Sequence, residues 1–331
     1  IVNLYEKYSD SKRAEKRSLC KTMKAYGFID EQLGCKTKEP FVKQIDTLAG
    51  EWPANANYLY STYAASEDDV KAGRGKKLLV VGAGVFRIGV SVEFDWSAVS
   101  LARLAKKYFD EVSMINYNPE TVSTDWYNVE KLYFDELTAE NIEKLYRKFG
   151  YSAIALFSAG QIGNNLAYTL AKKKIKVIGT QGKSIDIAEE RSKFSRLLEK
   201  LNIKEPEWTS ASSERDIKKF VESAGFPVIV RPSYVLSGSA MKIASNWEEL
   251  LAYIKQATKV SREHPIVISK YIVNGHESEM DCASDGKNVL GISLSHIEEA
   301  GVHSGDATIY TPMLDQRIKA KMKEITLVLA N

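Results

Sequence analysis

Cysteine is scarce in this sequence. Only Cys20, Cys35 and Cys282 occur in 331 residues. Their odd number and the lack of a CxxC spacing argue against a disulfide framework or a zinc site, and make a reducing compartment the simplest reading. Histidine is nearly as rare: His264, His276, His296 and His303 lack metal-ligand spacing. There is no excess of one charge either. Lys and Arg number 46 against 43 Asp and Glu, a net of +3, and such a balance predicts neither a nucleic-acid nor a membrane partner. No apolar run reaches the ~20 residues of a membrane-crossing helix. Internal repeats and low-complexity segments are missing as well. The chain opens "IVNLYEKY", without Met or a signal-peptide pattern, and closes on the amphipathic "KMKEITLVLAN". The expectation is a fragment of something larger.

What is present is ordinary globular composition, 44% hydrophobic and 27% charged, over a length that suggests two or three domains. Residues 1–75 are charge-rich with helical periodicity in "SKRAEKRSLCKTMKAYGF", and end in the Gly- and Lys-rich linker "KAGRGKK". We expect a small helical region there. From 76 to 183 the pattern changes. "KLLVVGAG", "EVSMINYN", "SAIALFSAG" and "IKVIGT" read as strands, alternating with helices in "SAVSLARLAKKY", "TAENIEKLYRKF" (opening on a Thr cap) and "NNLAYTLAKKK". Strand, helix, strand in series predicts a doubly wound α/β domain with a parallel sheet, whose ligand loops gather at the strand C-termini. Residues 184–331 change again. "DIAEERSKFSRLLEKLNI" reads as one long helix, "SERDIKKFVESAG" and "NWEELLAYIKQA" as two more, and "PIVISKYIV", "ESEMDCAS" and "NVLGISLSHI" as antiparallel strands. This predicts an α+β domain.

Several motifs raise chemical possibilities. "VVGAGVFRIG" has Gly82 and Gly84 where a dinucleotide fingerprint begins, but Arg87 stands at its third glycine. A bound NAD is therefore not expected, and a tight strand-to-helix turn suffices. "NYNPETVSTD", with Glu120, Ser123, Thr124 and Asp125, lies at a strand end; side chains capping their own backbone explain it as well as a ligand does. "RPSYVLSGSAM" says more. Arg231 ends a buried strand, so a rigid element holds a planar cation that matches two phosphate oxygens. Gly238, with Ser237 and Ser239, forms a small-residue loop able to present backbone N–H groups to an anion. A fixed cation beside a closing flap suits phosphoryl transfer; an Arg paired with a surface acid is the alternative. Lys270, on an apolar strand, either meets a nucleotide or snorkels. Alternation puts Glu277, Glu279 and Asp281 on one strand face near "GISLSHIEE", and "EEAGVHSGDA" is a glycine-bracketed loop carrying His303, Ser304 and Asp306.

"RPSYVLSGSAM", "NPETVSTD", "RIGVSVEFDW" and "EEAGVHSGDAT", with "QIDTLAGEWPANANYLYSTY" before them, closely resemble the large chain of carbamoyl phosphate synthetase. The likeness is to its carboxy-terminal, carbamate-phosphorylating half; "EFDW" and "SYVLSGSAM" resemble the eukaryotic branch. The resemblance implies the end of an oligomerisation-type domain over 1–75, a pre-ATP-grasp domain over 76–183 and an incomplete ATP-grasp domain over 184–331. It implies transfer of the ATP γ-phosphoryl group to carbamate, giving carbamoyl phosphate for pyrimidine or arginine synthesis. Arg191 and Arg231 match the family's phosphate-contacting arginines, and would act in catalysis. Lys270 and Ile272 match its adenosine-side residues, Glu277 its ribose contact, and Gly301, Val302, His303 and Ser304 its Gly-Val-His-Ser loop, with Gly238 and Ser239 in the flap. ATP, magnesium (or manganese) and potassium are the implied cofactors; the family's metal ligands fall on a strand expected beyond Asn331, so the chain alone is expected to lack turnover. Implied partners are the remainder of the large chain, a glutaminase subunit or domain, and small-molecule substrates, in the cytoplasm or the mitochondrion. The sequence departs from the family at Ala159, usually Gly, and Gly163, often Pro.

Two further readings stay open from sequence. One is another ATP-grasp ligase with an acyl-phosphate intermediate, such as a biotin carboxylase relative. The other is a nucleotide-binding regulatory module without chemistry.

Overall fold

The computed structural model describes residues 2–36, 39–84, 92–210, 213–232, 241–260, 266–300 and 309–330. The chain divides into two compact units, Ile1–Asp186 and Ile187–Asn331.

The first unit opens with three helices, α1 (Val2–Asp10), α2 (Arg13–Ala25) and α3 (Asp30–Leu33). Their small core is Tyr8, Met23 and Leu33, closed by a disulfide between Cys20 and Cys35. The sequence reading argued against a disulfide framework and did not anticipate this single bond. Spacing says nothing about two cysteines that a helix and a turn bring to a Cα separation of 6.9 Å.

The helical region ends at Leu33. Residues expected to be helical or linker form β1 (Phe41–Gln44) and β2 (Tyr58–Thr62) instead, an antiparallel pair at the edge of a seven-stranded sheet. The sheet continues through β3 (Lys77–Val81), α4 (Val92–Ala105), β4 (Glu111–Asn116), β5 (Lys131–Phe134), α5 (Ala139–Phe149), β6 (Ala153–Ala155), α6 (Gly160–Lys172) and β7 (Val177–Ile178). Its order is β1-β2-β5-β4-β3-β6-β7, and every pair except β1–β2 is parallel. The strand β5 went unread in the sequence. At four residues, with polar Lys131 leading, it offers little periodicity.

The central strand β3 is buried along its whole length, since helices cover both faces. Leu79 and Val81 point to a core shared with Ile142, Leu145 and Phe149 of α5 and Leu170 of α6. Leu78 and Val80 point to the opposite core, where Ala98, Ala102 and Ala105 let α4 lie close. α5 starts where Thr138 Oγ1 accepts the Asn141 N–H (3.1 Å) and stops at left-handed Gly150.

Where one helix was expected across 186–203, the chain forms two, α7 (Gly182–Glu189) and α8 (Arg191–Lys200). Neither Gly nor Pro marks the break. Buried Glu190 makes it, leaving helical geometry to accept the Ser192 N–H at 3.1 Å as the N-cap of α8.

The second unit adds β8 (Trp208–Ser210), α9 (Glu214–Ala224), β9 (Val228–Pro232), β10 (Lys242–Ala244), α10 (Trp247–Val260) and β11 (Ile266–Lys270). These strands form an antiparallel sheet in the order β10-β9-β11-β8. Val228, Val230, Ile266 and Ile268 face a core with Ile217 of α9 and Leu250 of α10. A second antiparallel sheet holds β12 (Ser278–Ser284), β13 (Val289–His296) and β14 (Tyr310–Pro312), with α11 (Gln316–Ala330) following. The α+β expectation holds, with the strands shared between two sheets.

Candidate functional site

Strand parity decides where Arg231 points. Val228 and Val230 face the helices, so Arg231 faces the other side of the sheet, across from Val267 on β11. Arg191, the first residue of α8, comes to it from forty positions earlier. Its Nη2 lies 3.9 Å from Met241 Sδ, a weak contact. Both guanidiniums are half-buried.

Neither is neutralised by an ion pair among the described residues. Burial lowers the pKa of Arg231, the positive charge of Arg191 lowers it further, and Glu205 only partly offsets them. Burial likewise lowers Arg191, with Glu189 opposing. The Nε of Arg231 is buried and without a hydrogen-bond partner. Arginine does not lose its proton in water near neutrality, so these shifts measure destabilised cations rather than titration. Two cations held within each other's field, one with an orphaned donor, form a place where an anion would relieve desolvation and repulsion together.

The other expected site residues are arranged differently. Lys270 lies on the helix-facing side of the sheet, in register with Val228, so it is not beside Arg231. Its ammonium donates to the carbonyls of Phe226 (2.9 Å) and Gly225 (3.2 Å), so backbone oxygens rather than open water hold it. Ile272, two residues beyond, is 60% exposed. Glu277 and Glu279 do share a face near β13. Between them sits His296, 3% exposed, with Nδ1 4.0 Å from Glu277 Oε2 and Nε2 3.1 Å from Glu279 Oε2. The latter pair is close enough for an ion pair but off the line of a hydrogen bond. Sequence reading passed over His296. Its shared parity with buried Leu294, cross-strand from Glu279, is the signal that could have found it. Asp281 is exposed. Gly238, Ser239, Gly301, Val302, His303 and Ser304 lie outside the described residues.

In the first unit the "NPETVSTD" loop caps itself, as the simpler reading held. Asn116 Oδ1 accepts the Asn118 N–H and Asn118 Oδ1 the Glu120 N–H. Buried Asp95, from "EFDW", accepts from Thr121 Oγ1 (2.6 Å), Val122 N–H (3.0 Å) and Ser123 N–H (3.2 Å). Gly82 and Gly84 make room for this loop. A Cβ at Gly84 would come within 2.6 Å of Asn118, and one at Gly82 within 3.0 Å of Met114.

Residues 74–187 match the carbamoyl phosphate synthase preATP-grasp domain, and residues 190–325 match the carbamoyl-phosphate synthase L chain, ATP binding domain. The chain belongs to the carbamoyl phosphate synthase large-chain family. The large chain of Sulfolobus acidocaldarius is 55% identical over 98% of this chain and 32% of its own length. That of Saccharolobus solfataricus is 53% identical over 100% and 33%. The chain thus spans about a third of these curated carbamoyl phosphate synthase large chains. Among solved structures, the biotin carboxylase domain of Hydrogenobacter thermophilus 2-oxoglutarate carboxylase, in complex with MgADP, ADP and bicarbonate, aligns with a TM-score of 0.61 at 18% identity, covering 77% of this chain and 58% of that one. Campylobacter jejuni biotin carboxylase gives 0.60 at 16%, covering 78% and 59%. At that identity the likeness is one of fold, and it agrees with a pre-ATP-grasp domain followed by an ATP-grasp domain. No helix of the described residues is long and apolar enough to cross a membrane.

Positions 159 and 163, where the resemblance implies departures from the family, lie together at the start of α6. A Cβ on Gly163 would come within 2.1 Å of the Leu156 carbonyl oxygen, so α6 here lies too close for any side chain.

Proposed function

We propose that this chain forms part of the carboxy-terminal, carbamate-phosphorylating half of a carbamoyl phosphate synthase. A carbamate oxygen attacks the γ-phosphorus of ATP, the bond from that phosphorus to the bridging oxygen breaks, and ADP leaves. The observation that carries this reading is the Arg191–Arg231 pair: half-buried, mutually repelling and without a partnered acid. Such a pair is stabilised by the nucleotide's phosphates and by the charge shared over the transferring group, and needs no covalent nucleophile. Glu277, positioned beside His296, is the proposed ribose contact. Lys270 and Ile272 belong to the adenosine side through their backbone, since the ammonium of Lys270 is already engaged.

ATP fits these residues. Among the described residues no group of three or more His, Cys, Asp or Glu could hold a metal ion by itself, and magnesium is ordinarily held by one or two carboxylates together with nucleotide phosphates. Magnesium or manganese therefore enters this reading only with the nucleotide and with ligands elsewhere in the large chain, and potassium has no assigned donors. The rest of the large chain and a glutaminase subunit or domain would supply carbamate, and the product would serve pyrimidine or arginine synthesis. "EFDW" and "SYVLSGSAM" are what support a eukaryotic placement.

The test is ATP formation from ADP and carbamoyl phosphate by the full-length large chain, with and without Arg231→Ala. We expect the rate to fall by about a hundredfold or more. An unchanged rate would remove Arg231 from the mechanism.

A further inference from the structure

The helical region carries positive charge that the fold uses only in part. On α2, Arg17, Lys21 and Lys24 recur at spacings of four and three, which places them on one helix face, with Lys16 beside them. That face lines a cavity of about 1330 Å³, closed by α3, β1 and the residues after β2. Lys24 is consumed by its ion pairs to Asp30 and Glu140. Lys16, Arg17, Lys21 and Lys36 have no carboxylate partner among the described residues, and Glu39 is the only acid on the wall. Like charges four apart, as at Arg17 and Lys21, weaken a helix rather than support it. The aromatic rings on the wall do not invite stacking, because lysines already cover them: Lys16 over Tyr8, Lys148 over Phe41, and Lys24 and Lys144 over Tyr63. What the cavity lacks is negative charge, and its volume exceeds the ~300–1,000 Å³ of ordinary ligand pockets.

We propose that this cavity is an anion site for a small molecule bearing one or more phosphate groups. It is formed entirely within the first unit, and the proposal does not depend on the reaction assigned above. Arg17 supplies the planar fork for phosphate oxygens, and Lys16, Lys21 and Lys36 supply point charges around it. The walls concentrate their field inside the concavity.

The test uses the full-length large chain with its ATP sites saturated by MgADP. Pyridoxal 5′-phosphate, an aldehyde carrying a phosphate, is trapped on lysine by borohydride and mapped by peptide mass spectrometry. We expect Lys21 and Lys36 to be labelled about tenfold more than exposed Lys7 and Lys12. Inorganic pyrophosphate should suppress that excess, pyridoxal without the phosphate should not produce it, and Arg17→Gln should reduce it while Arg17→Lys retains it. Arg17 is on the surface, so unfolding curves of these variants should overlay the parent. Equal labelling of all four lysines would overturn the proposal. So would an excess that pyrophosphate leaves untouched, or protection of Lys21 and Lys36 in the full-length protein, which would mean that another protein segment fills the cavity.

Discussion

The two units treat buried positive charge in opposite ways. In the first, Lys24 is 3% exposed and lies 3.0 Å from Asp30, with Glu140 on its other side. Lys77 donates to the Gly73 carbonyl at 2.8 Å, and Lys131 meets Glu111 at 2.6 Å. In the second, Arg191 and Arg231 are half-buried, lack such partners and repel one another. A paired buried charge belongs to the architecture, because removing one member strands the other. An unpaired one is tolerated only at a cost in stability, which is the ground on which the two arginines are proposed as phosphate contacts.

The sharpest way to break this contrast is Lys24→Ala. It would leave Lys144 as the one remaining described cation on Asp30 and Glu140, and the expected loss is about 1.5–3 kcal/mol of unfolding free energy by calorimetry. An unchanged midpoint would mean that the pairing is incidental. Arg231→Ala should behave in the reverse sense. Alongside the hundredfold loss of ATP formation, worth about 2.7 kcal/mol in the transition state, its unfolding midpoint should hold steady or rise, since a repulsion is relieved. A marked loss of stability would place Arg231 with the structural charges instead.

Gly163→Ala probes packing without charge. The new methyl would collide with the Leu156 carbonyl, and the expected cost is about 1–3 kcal/mol in denaturant unfolding. The smallest effect is in pH. Burial alone would raise the pKa of Glu140, but hydrogen bonds from Lys144, Lys24 and the Asp30 N–H outweigh it and hold the carboxyl below its ordinary 4.5. A carboxyl lowered on folding contributes stability that is present above its unfolded pKa and lost as pH falls through the folded one. The midpoint should therefore drop as pH falls below 4.5, and Glu140→Gln should flatten that slope.

Legibility of the fold followed burial. Strands covered on both faces, such as β3 and β4, are uninterrupted apolar runs and could be read directly. The short strands β1, β2 and β5 could not, because their partners rather than their own patterns make them strands. The break before α8 was hidden for a similar reason: Glu190 is an unremarkable residue in a helical sequence until its carboxylate turns onto Ser192. At the candidate site, Arg231 was legible as a strand end. Arg191 was reached only through family resemblance, since no local pattern shows that two arginines forty residues apart will meet. Strand parity with buried Ile266 and Ile268 turns Lys270 away from Arg231. The disulfide depended on a turn whose geometry the cysteine spacing does not encode.

Gly163 has one more consequence. A Cβ placed there would stand 3.3 Å from the Cβ of Ala159 but only 2.1 Å from the Leu156 carbonyl oxygen, so the backbone, and not the neighbouring methyl, sets the limit. Trimming Ala159 to Gly would therefore not make room for a side chain at 163. Related chains whose helix lies this close are expected to keep Gly there whatever stands four residues before it.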